Sequence, residues 1–133
     1  MLYVDTSALL KRYILEADSA ACERHLQADP LWVTARHTLV EVRRNVSRLL
    51  SEAPRRDTLA AFDADWQRMN VVELDAVTCE RAAEIAMMTG ARTLDALHLA
   101  AALRVGGRAL SFLTYDLRQA VAARQLGLVV LGT

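Results

Sequence analysis

Leu2-Tyr3-Val4-Asp5-Thr6-Ser7-Ala8-Leu9-Leu10 is the stretch on which the fold turns. Its first residues suit a short buried strand, and beyond Asp5 the apolar residues fall at helical spacing. Asp5 therefore closes a central strand, and its carboxylate projects from the C-terminal edge, the side on which open α/β sheets bind ligands. Working outward, β-branched or aliphatic runs recur at Leu31 to Thr34, Val71 to Leu74, Ala109 to Thr114 and Leu128 to Leu131. Helix-period segments separate them: Ser7 to Leu15, Ser19 to Gln27, Arg36 to Ser51, Arg55 to Met69, Thr78 to Thr89, Leu94 to Val105 and Leu117 to Leu126. Gly90, Gly106, Gly107 and Gly127 act as stop signals. Five strands alternating with helices predict an α/β fold, a mainly parallel sheet with helices on both faces and right-handed crossovers.

The 133 residues, 53% of them hydrophobic, fit one domain spanning residues 1–133. Sixteen Lys plus Arg balance sixteen Asp plus Glu, so any polyanion-binding surface has to be local. No apolar run approaches the ~18 residues that span a bilayer, and the opening lacks the order of a signal peptide, which predicts a soluble cytoplasmic protein with no membrane partner. Cys22 and Cys79 have neither the number nor the spacing for a disulfide framework or a zinc site, and both read as reduced packing residues. Met87 and Met88 read as core filler.

Chemistry is carried by four acids. Asp116 stands just after one strand run and before a helix, facing the same rim as Asp5. Asp95 opens a helix, Thr93-Leu94-Asp95-Ala96-Leu97-His98-Leu99-Ala100, that is apolar nearly all round, so its carboxylate asks for a cation, a donor network or a raised pKa. Glu41 lies in the Arg36 to Ser51 helix, where Leu39, Val42, Val46, Leu49 and Leu50 take one side and His37, Glu41, Arg44, Asn45 and Arg48 the other. A basic row thus runs away from Glu41, and guanidinium groups suit phosphates. From Leu31 to Ala60 there are six Arg against three acids, whereas Asp63 to Glu84 holds six acids against two Arg, which puts the basic surface on one side.

Each acid also has a plain structural reading. Asp116 followed by Gln119 fits a helix N-cap with a capping box. Thr93 caps its helix and leaves Asp95 as a first-turn acid favoured by the helix dipole. Asp5 is equally a turn carboxylate, and Glu41 with Arg44 an exposed ion pair. His37 and His98 are too isolated to be given a catalytic role; His98 reads as a packed imidazole that can support Asp95. Trp32 and Trp66 suit either core packing or an apolar partner surface.

Taken in order, Leu2-Tyr3-Val4-Asp5-Thr6-Ser7-Ala8-Leu9-Leu10, Thr38-Leu39-Val40-Glu41-Val42, Thr93-Leu94-Asp95-Ala96-Leu97-His98-Leu99-Ala100-Ala101 and Leu113-Thr114-Tyr115-Asp116 resemble the PIN-domain ribonucleases, and within them the VapC-type toxins of bacterial toxin-antitoxin pairs. The resemblance covers nearly the whole chain. It implies a three-layer α/β/α sandwich with strand order 3-2-1-4-5, and Mg²⁺ or Mn²⁺ held by Asp5, Asp95 and Asp116 with Glu41 beside them. Ser7 and Thr114 match positions where the family often has hydroxyls near the metal. A homodimer and a cognate VapB-type antitoxin lying along the active-site groove are implied as well. The serine often found before Glu41 is absent, which leaves hydroxyl support there to Thr34 or Thr38.

Oxygen-only ligands select a hard cation. Such an ion activates water for in-line attack on an RNA phosphodiester, with Glu41 or Asp5 orienting the water or taking its proton. Arg44 and Arg48 are the candidate RNA contacts. A haloacid dehalogenase-type phosphatase needs an acid where Ser7 stands, and a response-regulator receiver needs a late lysine, whereas Lys11 is the only lysine. The remaining alternative is a catalytically inert PIN-like module that binds RNA or protein.

Overall fold

The computed structural model describes residues 1–133. Strand β1 (Leu2–Val4) is buried along its length between β2 (Trp32–Ala35) and β4 (Ser111–Leu113), with β3 (Asn70–Val72) and β5 (Val129–Leu131) at the edges. All four pairings are parallel and the order is β3-β2-β1-β4-β5. The helices are α1 (Thr6–Tyr13), α2 (Ser19–Ala28), α3 (Thr38–Leu49), α4 (Glu52–Trp66), α5 (Ala76–Thr89), α6 (Thr93–Val105) and α7 (Leu117–Gln125).

Because side chains alternate along a strand, β1 feeds two cores. Tyr3 enters one with Val33, Leu99, Ala101 and Phe112, beneath α5, α6 and α7; its ring stacks on Phe112 with centroids 5.1 Å apart. Leu2 and Val4 enter the other with Leu9, Cys22, Val42, Val46 and Phe62, beneath α1 to α4. Two apolar layers on opposite faces of one sheet make the three-layer sandwich. They also leave the C-terminal strand edge uncovered, where Asp5 and Asp116 stand at strand-to-helix junctions and Glu41 and Asp95 in the first turns of α3 and α6.

Several boundaries move for local reasons. Helix α4 starts at Glu52, three residues before the expected Arg55, because Pro54 sits in its first turn, where a missing N–H costs nothing. Helix α5 starts at Ala76, since the Asp75 side chain accepts from the Thr78 N–H and caps it. Ala109 belongs to a 3-10 turn (Gly107–Ala109), so β4 is shorter than its apolar run. The face of α5 packed on the core is Thr78, Ala82 and Ile85. That turns Cys79, Met87 and Met88 to solvent, with Met87 88% exposed, correcting their reading as packing residues. Cys22 is buried as expected. Trp32 donates its indole N–H to the carbonyls of Leu26 and Asp29, and Trp66 packs on Phe62, so both serve the second core.

Four glycines take left-handed backbone angles, and two of them shape the site's surroundings. Gly90 ends α5 in the left-handed region (φ 74°). Gly132 (φ 97°) lets the chain leave β5 hard against Thr114, since a Cβ there would stand 2.4 Å from the Thr114 carbonyl oxygen. No helix is long and apolar enough to cross a membrane.

Candidate active site

Asp5, Glu41, Asp95 and Asp116 come from four separate segments and line one cleft of about 390 Å³, together with Thr6, Ser7, Asn45, Arg92, His98 and Gln119. The cleft divides into an inner and an outer half.

Asp5 is the innermost acid, only 1% exposed. Its backbone is extended, which places it as the N-cap of α1, and its Oδ1 accepts from the Ala8 N–H (2.8 Å) and the Ser7 hydroxyl (2.7 Å). Its Oδ2 accepts from Thr114 at 2.5 Å. The Ser7 and Thr114 hydroxyls are themselves 3.3 Å apart and accept from the N–H groups of Tyr115 and Asp116, so they tie the end of β1 to the end of β4. All of Asp5's bonding partners are neutral donors. Burial pushes its pKa up, against the charge of His98 and these hydrogen bonds.

Glu41 is held from behind. Its Oε2 receives the Thr6 hydroxyl and lies 3.0 Å from His98 Nε2. The carboxylate makes Nε2 of His98 a donor, and Nδ1 on the other side of the ring lies 2.9 Å from the Tyr3 hydroxyl. Burial raises the Glu41 pKa, but His98, through its hydrogen bond and charge, with Thr6 and His37, outweighs it and holds the group below the usual range. His37 is buried as well. Its Nε2 faces the Leu94 carbonyl at 3.2 Å and Glu41 at 3.7 Å, while its Nδ1 has no partner. Burial and the charge of His98 lower its pKa to about 4. The ligand atoms of His37, Glu41 and His98 lie within 4.8 Å of one another, so a mixed nitrogen and oxygen donor set adjoins the carboxylates.

The outer acids are less enclosed. Asp116 caps α7, its Oδ1 accepting from the N–H groups of Arg118 (2.8 Å) and Gln119 (3.1 Å). The cap is real but the box is not, because the Gln119 amide turns to the Asp95 carbonyl at 3.5 Å. Asp95 lies in the first turn of α6, whose N-cap is Arg92 without any side-chain cap bond, so Thr93 does not cap it. The Asp95 side chain is 15% exposed and paired with Arg92 (2.9 Å), so it escapes the fully buried setting that its helix suggests. Arg92 bridges onward to Asp116, also at 2.9 Å.

His98 supports Glu41 rather than Asp95, since its ring points inward from α6 toward α3. Thr34 and Thr38 do bond each other (2.7 Å) at the start of α3, with Thr34 also bonded to the Val4 carbonyl, while the hydroxyl that reaches the Glu41 carboxylate is that of Thr6. Glu41 makes no ion pair with Arg44, having turned into the cleft. Arg44 and Arg48 are exposed on α3, and Arg48 donates to the Oδ1 of Asn45 (3.1 Å), which lines the cleft. Sequence reasoning passed over Thr6 and Arg92. The i,i+3 spacing of Arg92 and Asp95 was a visible signal for the second; nothing local marks the first.

The donor chemistry fits a hard divalent cation. Four carboxylates share one cleft, and the most buried of them has no cationic side chain bonded to it.

A parallel 3-2-1-4-5 sheet with acids gathered at its C-terminal edge defines the class, and the family model for the PIN domain matches residues 2–125. The chain belongs to the PIN domain family. It is similar to Ribonuclease VapC35 of Mycobacterium tuberculosis, 34% identical over 134 residues that cover 98% of this chain and 95% of that protein. Among solved structures it is similar to Mycobacterium tuberculosis VapC20, a sarcin-ricin loop cleaving toxin (TM-score 0.74, 20% identity, 92% of this chain and 95% of that one). It is also similar to DNA-bound VapBC from Salmonella typhimurium (TM-score 0.69, 18% identity, 98% of each chain). At these identities the two structures speak for the fold alone.

Proposed function

We propose that the chain is a divalent-metal-dependent endoribonuclease and the toxin of a toxin-antitoxin pair, acting in the cytoplasm. The observation that carries this reading is the convergence of Asp5, Glu41, Asp95 and Asp116 on one cleft, with Asp5 buried among neutral donors. The relationship to Ribonuclease VapC35 supports RNA as the substrate, and the fold shared with VapBC supports a VapB-type antitoxin as partner; the homodimer rests on the family resemblance alone.

Asp5, Asp95 and Asp116 would hold Mg²⁺, for which Mn²⁺ could substitute. A bound ion would supply a water of lowered pKa and offset charge on the phosphoryl oxygens during in-line attack. Ser7 and Thr114 fix the Asp5 oxygens so that they need not reorganise. Glu41, kept ionised by His98 and Thr6, orients the attacking water and takes its proton. The water oxygen bonds to phosphorus as the P–O3′ bond breaks, leaving a 5′-phosphate and a 3′-hydroxyl. Arg44 and Arg48 meet flanking phosphates as the strand runs along α3.

The test is cleavage of total cellular RNA by the purified, antitoxin-free chain in millimolar Mg²⁺ or Mn²⁺, with chelator and Asp5→Asn as controls. Metal-dependent cuts that disappear in the variant, with its fold retained, support the enzyme. Absence of cleavage by the wild type in either metal supports the inert binding module instead; the presence of all four carboxylates favours the enzyme.

A further inference from the structure

Arg92 has no part in the reading above, yet it occupies the outer half of the same cleft. Its Nε lies 2.9 Å from Asp95 Oδ2, and a terminal nitrogen of its guanidinium lies 2.9 Å from Asp116 Oδ2. Neither acid has another cationic partner. One guanidinium therefore joins two carboxylates that the metal centre requires.

The bridge is built to open. The Arg92 side chain is 59% exposed. It springs from the connection Gly90-Ala91-Arg92 between α5 and α6, from an extended N-cap backbone, and so can swing without disturbing either helix. A divalent ion and a guanidinium repel each other and compete for the same two oxygens. Where it stands, Arg92 lines both the acidic cleft and the hollow formed with Glu41, Thr93 and Leu94, so a short swing leaves the guanidinium at the rim. Its planar fork of donors matches a phosphate as well as a carboxylate.

We infer that Arg92 is an exchangeable internal counter-ion. Without metal it holds Asp95 and Asp116 together; metal displaces it, and the freed guanidinium takes an RNA phosphate beside the centre. This rests on the metal-dependent nuclease reading, and binding measurements separate the two. Arg92→Gln keeps a polar side chain and removes the charge. Mn²⁺ titration of the free protein, followed calorimetrically, is expected to show three- to tenfold tighter binding in Arg92→Gln than in the wild type, with Arg92→Lys in between. RNA binding in Ca²⁺, under non-cleaving conditions, is expected to weaken, and the slope of log affinity against log salt to fall by about 0.7, the loss of one single-strand phosphate contact. Thermal melts of the metal-free variants confirm that each is folded. Mn²⁺ binding by the wild type without a gain in Arg92→Gln overturns the counter-ion role alone, and an unchanged salt slope overturns the phosphate contact. If neither wild type nor Arg92→Gln binds Mn²⁺, the metal centre itself falls, and this inference with it.

Discussion

A buried aspartate stands at each end of helix α1, Asp5 as the helix's own N-cap and Asp65 brought to its last turn by α4, and the two are held in opposite ways. At its N-terminus Asp5, 1% exposed, accepts only from hydroxyls and a backbone N–H, and burial raises its pKa. Asp65, 6% exposed, lies near the C-terminus of α1 and receives Arg12 Nε (2.8 Å), the Tyr13 hydroxyl (2.7 Å) and Arg68 (3.1 Å). Burial raises the Asp65 pKa too, but Arg12 and Tyr13 outweigh it and hold the group below the usual range. Asp65 already has its cations. Asp5 has no cation bonded to it, only the positive end of a helix dipole and a ring of neutral donors with His98 further off, an arrangement that suits a ligand charge arriving from outside. Among buried acids, then, the partner's charge separates a structural role from a site awaiting a cation.

The sharpest break of this contrast is Asp5→Asn. RNA cleavage is expected to fall by at least about 1,000-fold, the rate equivalent of several kcal/mol of lost metal assistance, while the metal-free variant melts no lower than the wild type. Asp65→Asn should do the reverse. It leaves Arg12 without its buried partner and costs about 3 kcal/mol in urea unfolding, with cleavage per folded molecule unchanged. Third comes metal itself. At 100 times its dissociation constant, Mn²⁺ is expected to stabilise the wild type and Asp65→Asn by about 2.7 kcal/mol and Asp5→Asn by much less, as read from shifts in unfolding midpoint.

The smallest effect is the pH dependence in chelator, where the two acids carry opposite signs. Asp5 binds its proton more tightly folded than unfolded, so its contribution is fully present below the unfolded pKa and is lost as pH rises through the raised folded value. The stability of Asp5→Asn relative to wild type should therefore improve from pH 4 to pH 7. Asp65 contributes above its unfolded pKa and loses that contribution as pH falls through the lowered folded value. The deficit of Asp65→Asn should shrink toward acid. Parallel urea-midpoint profiles for the two variants would break the comparison.

Much of this was legible in one dimension because strands and helices alternate with clear periods. Leu2–Val4 and Thr93–Val105 lie within a residue of their expected limits, and the acids sit where strand ends or helix starts placed them. What escaped depends on rotation and on distant partners. Met87 is turned outward because Ala82 and Ile85 claim the packed face of α5. The service of His98 to Glu41 spans 57 positions of sequence and rests on Tyr3 beneath it, while an apolar helix full of Leu and Ala suggests only packing. Thr6 looked like any residue opening a helix until α3 brought Glu41 over it.

Gly132 gives the far edge of the sheet an unexpected hold on the chemistry. The peptide of Thr114 touches Gly132 on one side, and the Thr114 hydroxyl grips Asp5 on the other. A methyl group at position 132 would act as a wedge, and its push would reach the innermost carboxylate through a single residue. A substitution scan of cleavage should thus return a hit at a residue outside the acidic cleft, a remote lesion passing for a lost ligand.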